Sequence, residues 1–235
     1  MSVALVTGAA IRVGRAIAIR LAKDGFDIAL HFNGSQQPAI ETAQVIEQLG
    51  RKVKLIQCDL SALESGYELI DSASELGSVT VLVNSAAIFP DHDSIDDDLL
   101  HWDKVMGLNL KAPLMLTQAF ARTHPENGHV INILDARINQ PAGDHLVYRL
   151  SKVGLWHLTE SLAKELAPHI KVNGLALGAI MAPPGADDLH FKRMANRIPL
   201  KKTGCPELVA NAVSFLVKQE FITGTVLPLD GGEFL

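Results

Sequence analysis

The chain has 235 residues, 48% of them apolar, 20% charged and 5% aromatic, with 18 glycines. A globular chain of this length buries about 70–75% of its unfolded surface in one large core, so neither a disulfide nor a metal is needed to hold it. Its 21 basic against 26 acidic side chains leave a net charge of −5 with no basic stripe, which argues against nucleic acid as a partner. No uncharged apolar run approaches the roughly 18 residues of a membrane span, and Val3–Val6 lacks the basic region that precedes the apolar part of a secretory signal. The expectation is a soluble, cytoplasmic protein with no membrane partner. Cys58 and Cys205 belong to no ligand-spaced cluster and read as reduced, Cys58 as buried.

Short apolar runs alternate with segments of helical period up to about Leu177, the rhythm of β-α-β units in a mostly parallel sheet, with one domain spanning residues 1–235. The first strand, Val3–Thr7, enters the turn Thr7-Gly8-Ala9-Ala10-Ile11-Arg12-Val13-Gly14, after which Val13, Ile17 and Leu21 mark one helix face. A glycine turn between strand and helix brings backbone N–H groups and the positive helix end up to a diphosphate. Arg12 opposes that helix dipole by a few tenths to about 1 kcal/mol, so it reads as a ligand contact. The second strand, Asp27–Phe32, leads into Asn33-Gly34-Ser35 without a carboxylate, since Asp27 lies at its other end. An acid there would bind the ribose 2′-OH and favour NAD. Its lack favours NADP, with Ser35 capping the next helix and that helix start, together with His31, accepting the 2′-phosphate. Further strands are expected at Val53–Cys58, Val79–Asn84 and His129–Leu134.

Tyr148 and Lys152 stand four apart on a helical segment that continues through Leu158, Leu162 and Leu166, so the pair projects from one face. A tyrosine hydroxyl is a poor acid at neutral pH. An ammonium about 4 Å away is worth up to about 4 kcal/mol at an effective dielectric near 20, which predicts a lowered tyrosine pKa and a usable general acid. After the next strand, Lys171–Ala176, the rhythm breaks. Leu177–Leu200 carries Gly178, Pro183, Pro184, Gly185 and Pro199, with a weak helical stretch near Asp187–Ala195, and reads as a substrate loop at about 178–200 over the carboxyl ends of the strands. The last strand is Val226–Leu229.

These residues resemble the short-chain dehydrogenase/reductases over nearly the whole chain. The matching pieces are Thr7-Gly8 through Gly14, Asp59-Leu60, Asn84-Ser85-Ala86-Ala87, Asn109, Tyr148 with Lys152, and Thr223-Gly224 followed by Asp230-Gly231-Gly232. The resemblance implies an α/β Rossmann fold with a seven-stranded, mostly parallel sheet flanked by helices. It also implies Asp59 and Leu60 near the adenine, Asn84 and Ala86 lining the cofactor, and Lys152 on the nicotinamide ribose. Asn109 would anchor a proton-relay water and Ile180 would contact the carboxamide. The apolar arc Val153, Leu155, Trp156, Leu158, Leu162 and Leu166 would, by the same resemblance, form an interface of a homotetramer.

Departures from the usual family pattern narrow the match. Asp135 stands where a serine is expected thirteen residues before the tyrosine, Arg12 replaces the middle glycine, and Leu177-Gly178 replaces Pro-Gly. With Phe89, the first two resemble pteridine reductases, and the ending Pro228-Leu229-Asp230-Gly231-Gly232 resembles bacterial dihydromonapterin reductases. The arginine that the pteridine reductase pattern carries before the serine is Gly34 here. Chemistry agrees with a pterin. An ionised aspartate would repel the oxyanion formed from a ketone, whereas a pterin offers N–H donors to Asp135 and a carbonyl oxygen to Arg12. Phe89 would cover the free face of the heterocycle for about 0.5–1.5 kcal/mol beyond its buried area. The expected activity is NADPH-dependent reduction of a dihydropterin or dihydrofolate, with Asp135, Tyr148, Lys152 and Asn109 as the catalytic set. The alternatives are a 3-oxoacyl or other keto reductase and an NADP(H)-binding sensor. Asp91, His92, Asp93 and Asp96–Asp98 read as a helix start at Ser94 rather than a metal site, and His145 as a loop residue beside the substrate mouth.

Overall fold

A computed structural model describes residues 2–62, 66–95, 101–123, 125–141, 143–182 and 188–235. Its elements are β1 Ser2–Val6, α1 Arg12–Lys23, β2 Asp27–Phe32, α2 Gln36–Gln48, β3 Val53–Gln57, α3 Tyr67–Ser74, β4 Ser78–Asn84, α4 Trp102–Met106, α5 Ala112–Arg122, β5 Gly128–Asp135, α6 Leu146–Leu166, β6 Ile170–Leu177, α7 Asp188–Arg197, α8 Pro206–Val217 and β7 Val226–Leu229. The seven strands form one sheet in the order β3-β2-β1-β4-β5-β6-β7. Every neighbouring pair is parallel.

Alternation along the strands feeds two cores. Ala4 and Val6 of β1 pack with Ile17, Leu21 and Leu30 on one face, while Val3 and Leu5 pack with Ile70, Leu116 and Phe120 on the other. Helices cover both faces, which is why the central strands read as unbroken apolar runs. Strand order reverses between β1 and β4, and this switch point opens the crevice at their carboxyl ends.

The expected strands are present, with ends moved by one residue. β5 reaches Asp135 because Asp135 still pairs with Leu177 of β6, whereas Thr7 falls in the turn after β1. Between β6 and α8 the weak helical stretch is α7. Residues 183–187 lie outside the described residues. So do Asp96–Asp98, and with them most of the helix start expected at Ser94. No helix among the described residues is long and apolar enough to cross a membrane, and both cysteines are free and half-buried.

One buried polar chain crosses the sheet. The Asn84 amide donates to Asn132 Oδ1 at 2.8 Å, the Asn132 amide donates to Thr159 Oγ1 at 2.9 Å, and the Thr159 hydroxyl donates to the Leu155 carbonyl at 2.7 Å. Because each link is short and directional, it fixes α6 against β4 and β5 in a way apolar packing alone does not.

Candidate active site

The site starts from the turn after β1. Gly8 takes φ +64°, and a Cβ added to Gly14 would lie 2.2 Å from the Gly8 carbonyl oxygen, so only glycine lets α1 begin this close to the turn. Thr7 Oγ1 accepts the N–H groups of Ser85 and Ala86 at 2.9 and 3.0 Å, tying this turn to the one after β4. Between them lies a crevice of about 360 Å³, lined among others by Gly8, Arg12, Val13, Gly14, His31, Ser35, Asp59, Leu60 and Ala86.

His31 is only 2% exposed. Its Nδ1 accepts the Gly8 N–H at 3.2 Å and its Nε2 faces the Cys58 carbonyl at 3.1 Å, the pattern of a neutral ring protonated on Nε2. Burial pushes its pKa below the ordinary histidine value. His31, expected with the helix start to accept a 2′-phosphate, lines the crevice, but both its ring nitrogens are engaged, one by the glycine turn and one by the Cys58 carbonyl. Ser35 stands at the start of α2 but makes no side-chain cap bond, against the expected cap. Its hydroxyl, with the Asn33 amide and the N–H groups of that helix start, offers donors at this end of the crevice. Asp59 Oδ1 accepts the hydroxyl and N–H of Ser61 at 2.7 and 2.9 Å. These bonds hold the carboxyl below its usual range. A glycine cradle, a helix start without acidic residues and the lack of a carboxylate beside Ser35 together fit a phosphorylated dinucleotide.

Arg12 takes φ +53°, the left-handed region that favours glycine, at a cost of roughly 1–2 kcal/mol. Its guanidinium donates to the Ala182 carbonyl at 3.1 Å. The side chain thus spans from the glycine turn to the loop after β6.

Tyr148 and Lys152 share one face of α6, as their spacing predicts, but their coupling differs from the expectation. The Tyr148 hydroxyl donates to Asp135 Oδ2 at 3.0 Å. Burial and the Asp135 carboxylate raise the Tyr148 pKa well above its ordinary value. Lys152 Nζ donates instead to the Ile133 carbonyl at 2.9 Å and lies 5.8 Å from the Tyr148 ring centre. Its own pKa is lowered to about 8 by burial, against the opposing pull of Asp135. The nearest charge wins: a carboxylate bonded directly to the phenol outweighs a buried ammonium that does not touch it. Asp135 Oδ1 also accepts the Arg137 N–H at 2.8 Å, which fixes the carboxylate at the end of β5.

Asn109 sits in a π-helical turn, Gly107–Lys111, between α4 and α5. Its side chain accepts the Ile88 N–H and donates to the Ile88 carbonyl, both at 3.0 Å, and donates to Ser151 Oγ at 3.2 Å. Wide turns of this kind often mark functional positions. Asn84 and Ile180 are not among the crevice-lining residues. Asn84 belongs to the buried chain across the sheet, and Ile180 is buried and joins the core on the α1 face.

Beside Asp135 lies a second cavity of about 160 Å³, walled by Phe89, Arg137, Met181, Met194, Glu233 and Phe234 among others. Phe89 is 46% exposed and so is not ordinary core packing. Its ring stands edge-on to Tyr148 at 4.7 Å and lies 4.1 Å from the His145 ring. Sequence reasoning missed Arg137, Glu233 and Phe234. Gly231 and Gly232 both adopt positive φ and turn the chain end back over Gly178. A Cβ at Gly178 would meet Asp230 Cα at 2.7 Å and Glu233 Oε2 at 3.2 Å. The Asp230-Gly231-Gly232 turn was the available signal for this reversal. Burial raises the Glu233 pKa. Among the described residues no group of three or more His, Cys, Asp or Glu side chains is placed to hold a metal.

A family model described as enoyl-(acyl carrier protein) reductase matches residues 8–233. The chain is 33% identical to a 3-oxoacyl-(acyl-carrier-protein) reductase of Staphylococcus epidermidis over 99% of this chain and 98% of that protein. It is 31% identical to glucose 1-dehydrogenase 2 of Bacillus subtilis over 97% and 93%. Among solved structures, FolM alternative dihydrofolate reductase 1 from Brucella canis, complexed with NADP, superposes with a TM-score of 0.93 at 33% identity, covering 99% of this chain and 93% of that one. A blue fluorescent protein from a metagenomic library, in complex with NADPH, reaches 0.92 at 30% identity over 100% and 98%. With this sheet order, this glycine crevice and matches along its length, the chain belongs to the short-chain dehydrogenase/reductase family of oxidoreductases.

Proposed function

We propose that the protein is an NADPH-dependent reductase of a pteridine-type ring, a dihydropterin or dihydrofolate. The observation that carries this reading is Asp135: a carboxylate, held at both oxygens, occupies the wall of the substrate cavity next to Tyr148. An oxyanion from a ketone would meet repulsion there, whereas the amino and ring N–H groups of a pterin are donors that a carboxylate accepts. NADP in the superposed dihydrofolate reductase supports the cofactor.

Bound NADPH would supply a hydride to the carbon of the ring C=N bond. Tyr148 gives its phenolic proton to the ring nitrogen and is left as a phenolate, which the Lys152 ammonium stabilises. In the free protein Asp135 holds that phenol protonated. Once N–H groups of the substrate engage Asp135, its charge is partly offset, the neighbouring cations Arg137, Arg149 and Lys152 weigh more and the phenol becomes a stronger acid. Asn109 holds the Ile88 backbone and Ser151 at the base of this cluster. Arg12 donates to the ring carbonyl, and Phe89 covers the exposed ring face. Of the arc expected at an interface, Leu155 and Leu162 are buried in the chain's own core and Val153 is exposed, so it is Val153 with the exposed Leu114 and Leu150 that supports assembly as a homotetramer covering that surface.

A panel of dihydrobiopterin, dihydromonapterin, dihydrofolate and an acetoacetyl thioester, with NADPH consumption followed by its near-ultraviolet absorbance, tests the reading. Turnover of a dihydropterin or dihydrofolate is expected. Turnover of the thioester alone would make the protein a keto reductase, as several relatives are named, and tight NADPH binding without any turnover would make it a sensor.

Arg12→Gly separates the roles of that residue. Relief of the left-handed backbone set against the freer unfolded chain leaves stability unchanged or raised by up to about 1 kcal/mol in urea unfolding. The KM for dihydropterin is expected to rise at the same time. An unchanged KM would remove Arg12 from the substrate contacts.

A further inference from the structure

Beyond the crevice and the cavity, one buried carboxylate is engaged by the catalytic helix. Asp93, 6% exposed, lies on the stretch that follows β4, more than fifty positions before α6. Its main-chain carbonyl accepts the Leu146 N–H at 2.9 Å. Its carboxylate accepts the Val147 N–H on Oδ1 at 3.0 Å and the Tyr148 N–H on Oδ2 at 2.8 Å. Three successive donors of the first turn of α6 are thus satisfied by one distant residue.

A helix start is ordinarily capped by the residue just before it. Here that residue is His145, in the left-handed region at φ +48° and without a side-chain cap bond. The cap has moved to another segment, and this couples the segments. The capped N–H of Tyr148 belongs to the residue whose hydroxyl meets Asp135 on β5, and Phe89, four residues before Asp93, stands edge-on to the same ring. Asp93 lines neither the crevice nor the substrate cavity, so it does not reach a ligand itself.

We propose that Asp93 is a positioning residue for proton transfer, clamping the first turn of α6 so that the Tyr148 hydroxyl and the Phe89 ring are held as one unit against Asp135. The inference rests on Tyr148 as proton donor and not on the identity of the substrate. A misplacement of about 1 Å at a reacting group can cost on the order of a hundredfold in rate.

The test is a double-mutant cycle on the full chain, run with whichever substrate of the panel turns over. Asp93→Ala is expected to lower kcat by about tenfold to a hundredfold, with the Kd for NADPH unchanged. Asp93→Asn, whose amide oxygen still accepts one N–H, is expected to recover part of the loss. In a Tyr148→Phe background Asp93→Ala should have no further effect, because the group it positions is gone. A second readout needs no turnover. The chain has 2 tyrosines, and with carbon-13 at the phenol carbon the Tyr148 NMR signal should move in Asp93→Ala while the Tyr67 signal stays. Equal losses in both backgrounds, or an unmoved Tyr148 signal, would overturn the proposal. If Asp93→Ala does not fold, Asp93→Asn carries both measurements. Failure of the pteridine reading appears in the panel, as thioester turnover alone, and leaves the cycle and the NMR signal to decide on Asp93.

Discussion

Tyr148→Phe is expected to lower kcat for ring reduction by about 10²–10⁴, the range that a positioned general acid contributes, while NADPH binds with unchanged affinity. The phenol is the only hydroxyl the structure bonds to Asp135, at the wall of the second cavity, among the described residues. Without it the ring nitrogen must take its proton from water. The phenylalanine ring keeps the edge-on contact to Phe89, so the loss should fall on kcat and leave KM nearly unchanged. Steady-state kinetics with a fluorescence titration of NADPH check this. A rate within a few-fold of the parent would mean that the proton comes from elsewhere.

Asp135→Ser should move substrate class and pH dependence together. Losing charge-assisted bonds worth about 1.5–3 kcal/mol predicts a drop of roughly tenfold to more than a hundredfold in kcat/KM for a dihydropterin. Reduction of the acetoacetyl thioester should improve, because the repulsion of a developing oxyanion is removed. The sign of the pH effect follows from the phenol. Burial and then the Asp135 carboxylate raise the Tyr148 pKa, the carboxylate because deprotonation would place two anions side by side. With serine there the pKa falls, and the basic limb of the reductive pH profile, where the donor must still be protonated, moves to lower pH. A pterin rate that does not change would remove the main support for the substrate class. A basic limb that stays in place would place the limiting ionisation on another group, with Lys152, lowered to about 8, the first candidate.

Much of the site was legible because it is local. Gly8 and Gly14 stand at a strand-to-helix junction, and Tyr148 and Lys152 are one helical turn apart, so short-range geometry already predicts that each pair acts together. Three expectations failed where long-range neighbours decide. His31 is at the right strand end to meet a phosphate, yet Gly8 and Cys58, both distant in sequence, occupy its nitrogens. Lys152 is at the right spacing to acidify Tyr148, yet burial and the directly bonded Asp135 set the phenol in the free protein. Ser35 occupies a cap position without capping. Asp93 was read with its acidic neighbours as part of a helix start at Ser94, and only the packing of the segment after β4 against α6 buries it and makes it the cap of α6.

The sequence by itself determined the alternation of strands and helices, the glycine crevice, the phosphorylated-cofactor preference and the placing of Tyr148 and Lys152 on one helix face, because each rests on periodicity, spacing or residue chemistry within a few positions, while Asp135 was singled out by the family resemblance. The tertiary structure alone decided which neighbours set the phenol, how the turn at residues 230–232 brings Glu233 and Phe234 to the cavity beside Asp135, and which residue holds the start of α6. Those outcomes depend on distances between segments far apart in the chain. Electrostatic and hydrogen-bond energies fall steeply with distance, so such contacts have no value until folding has set them.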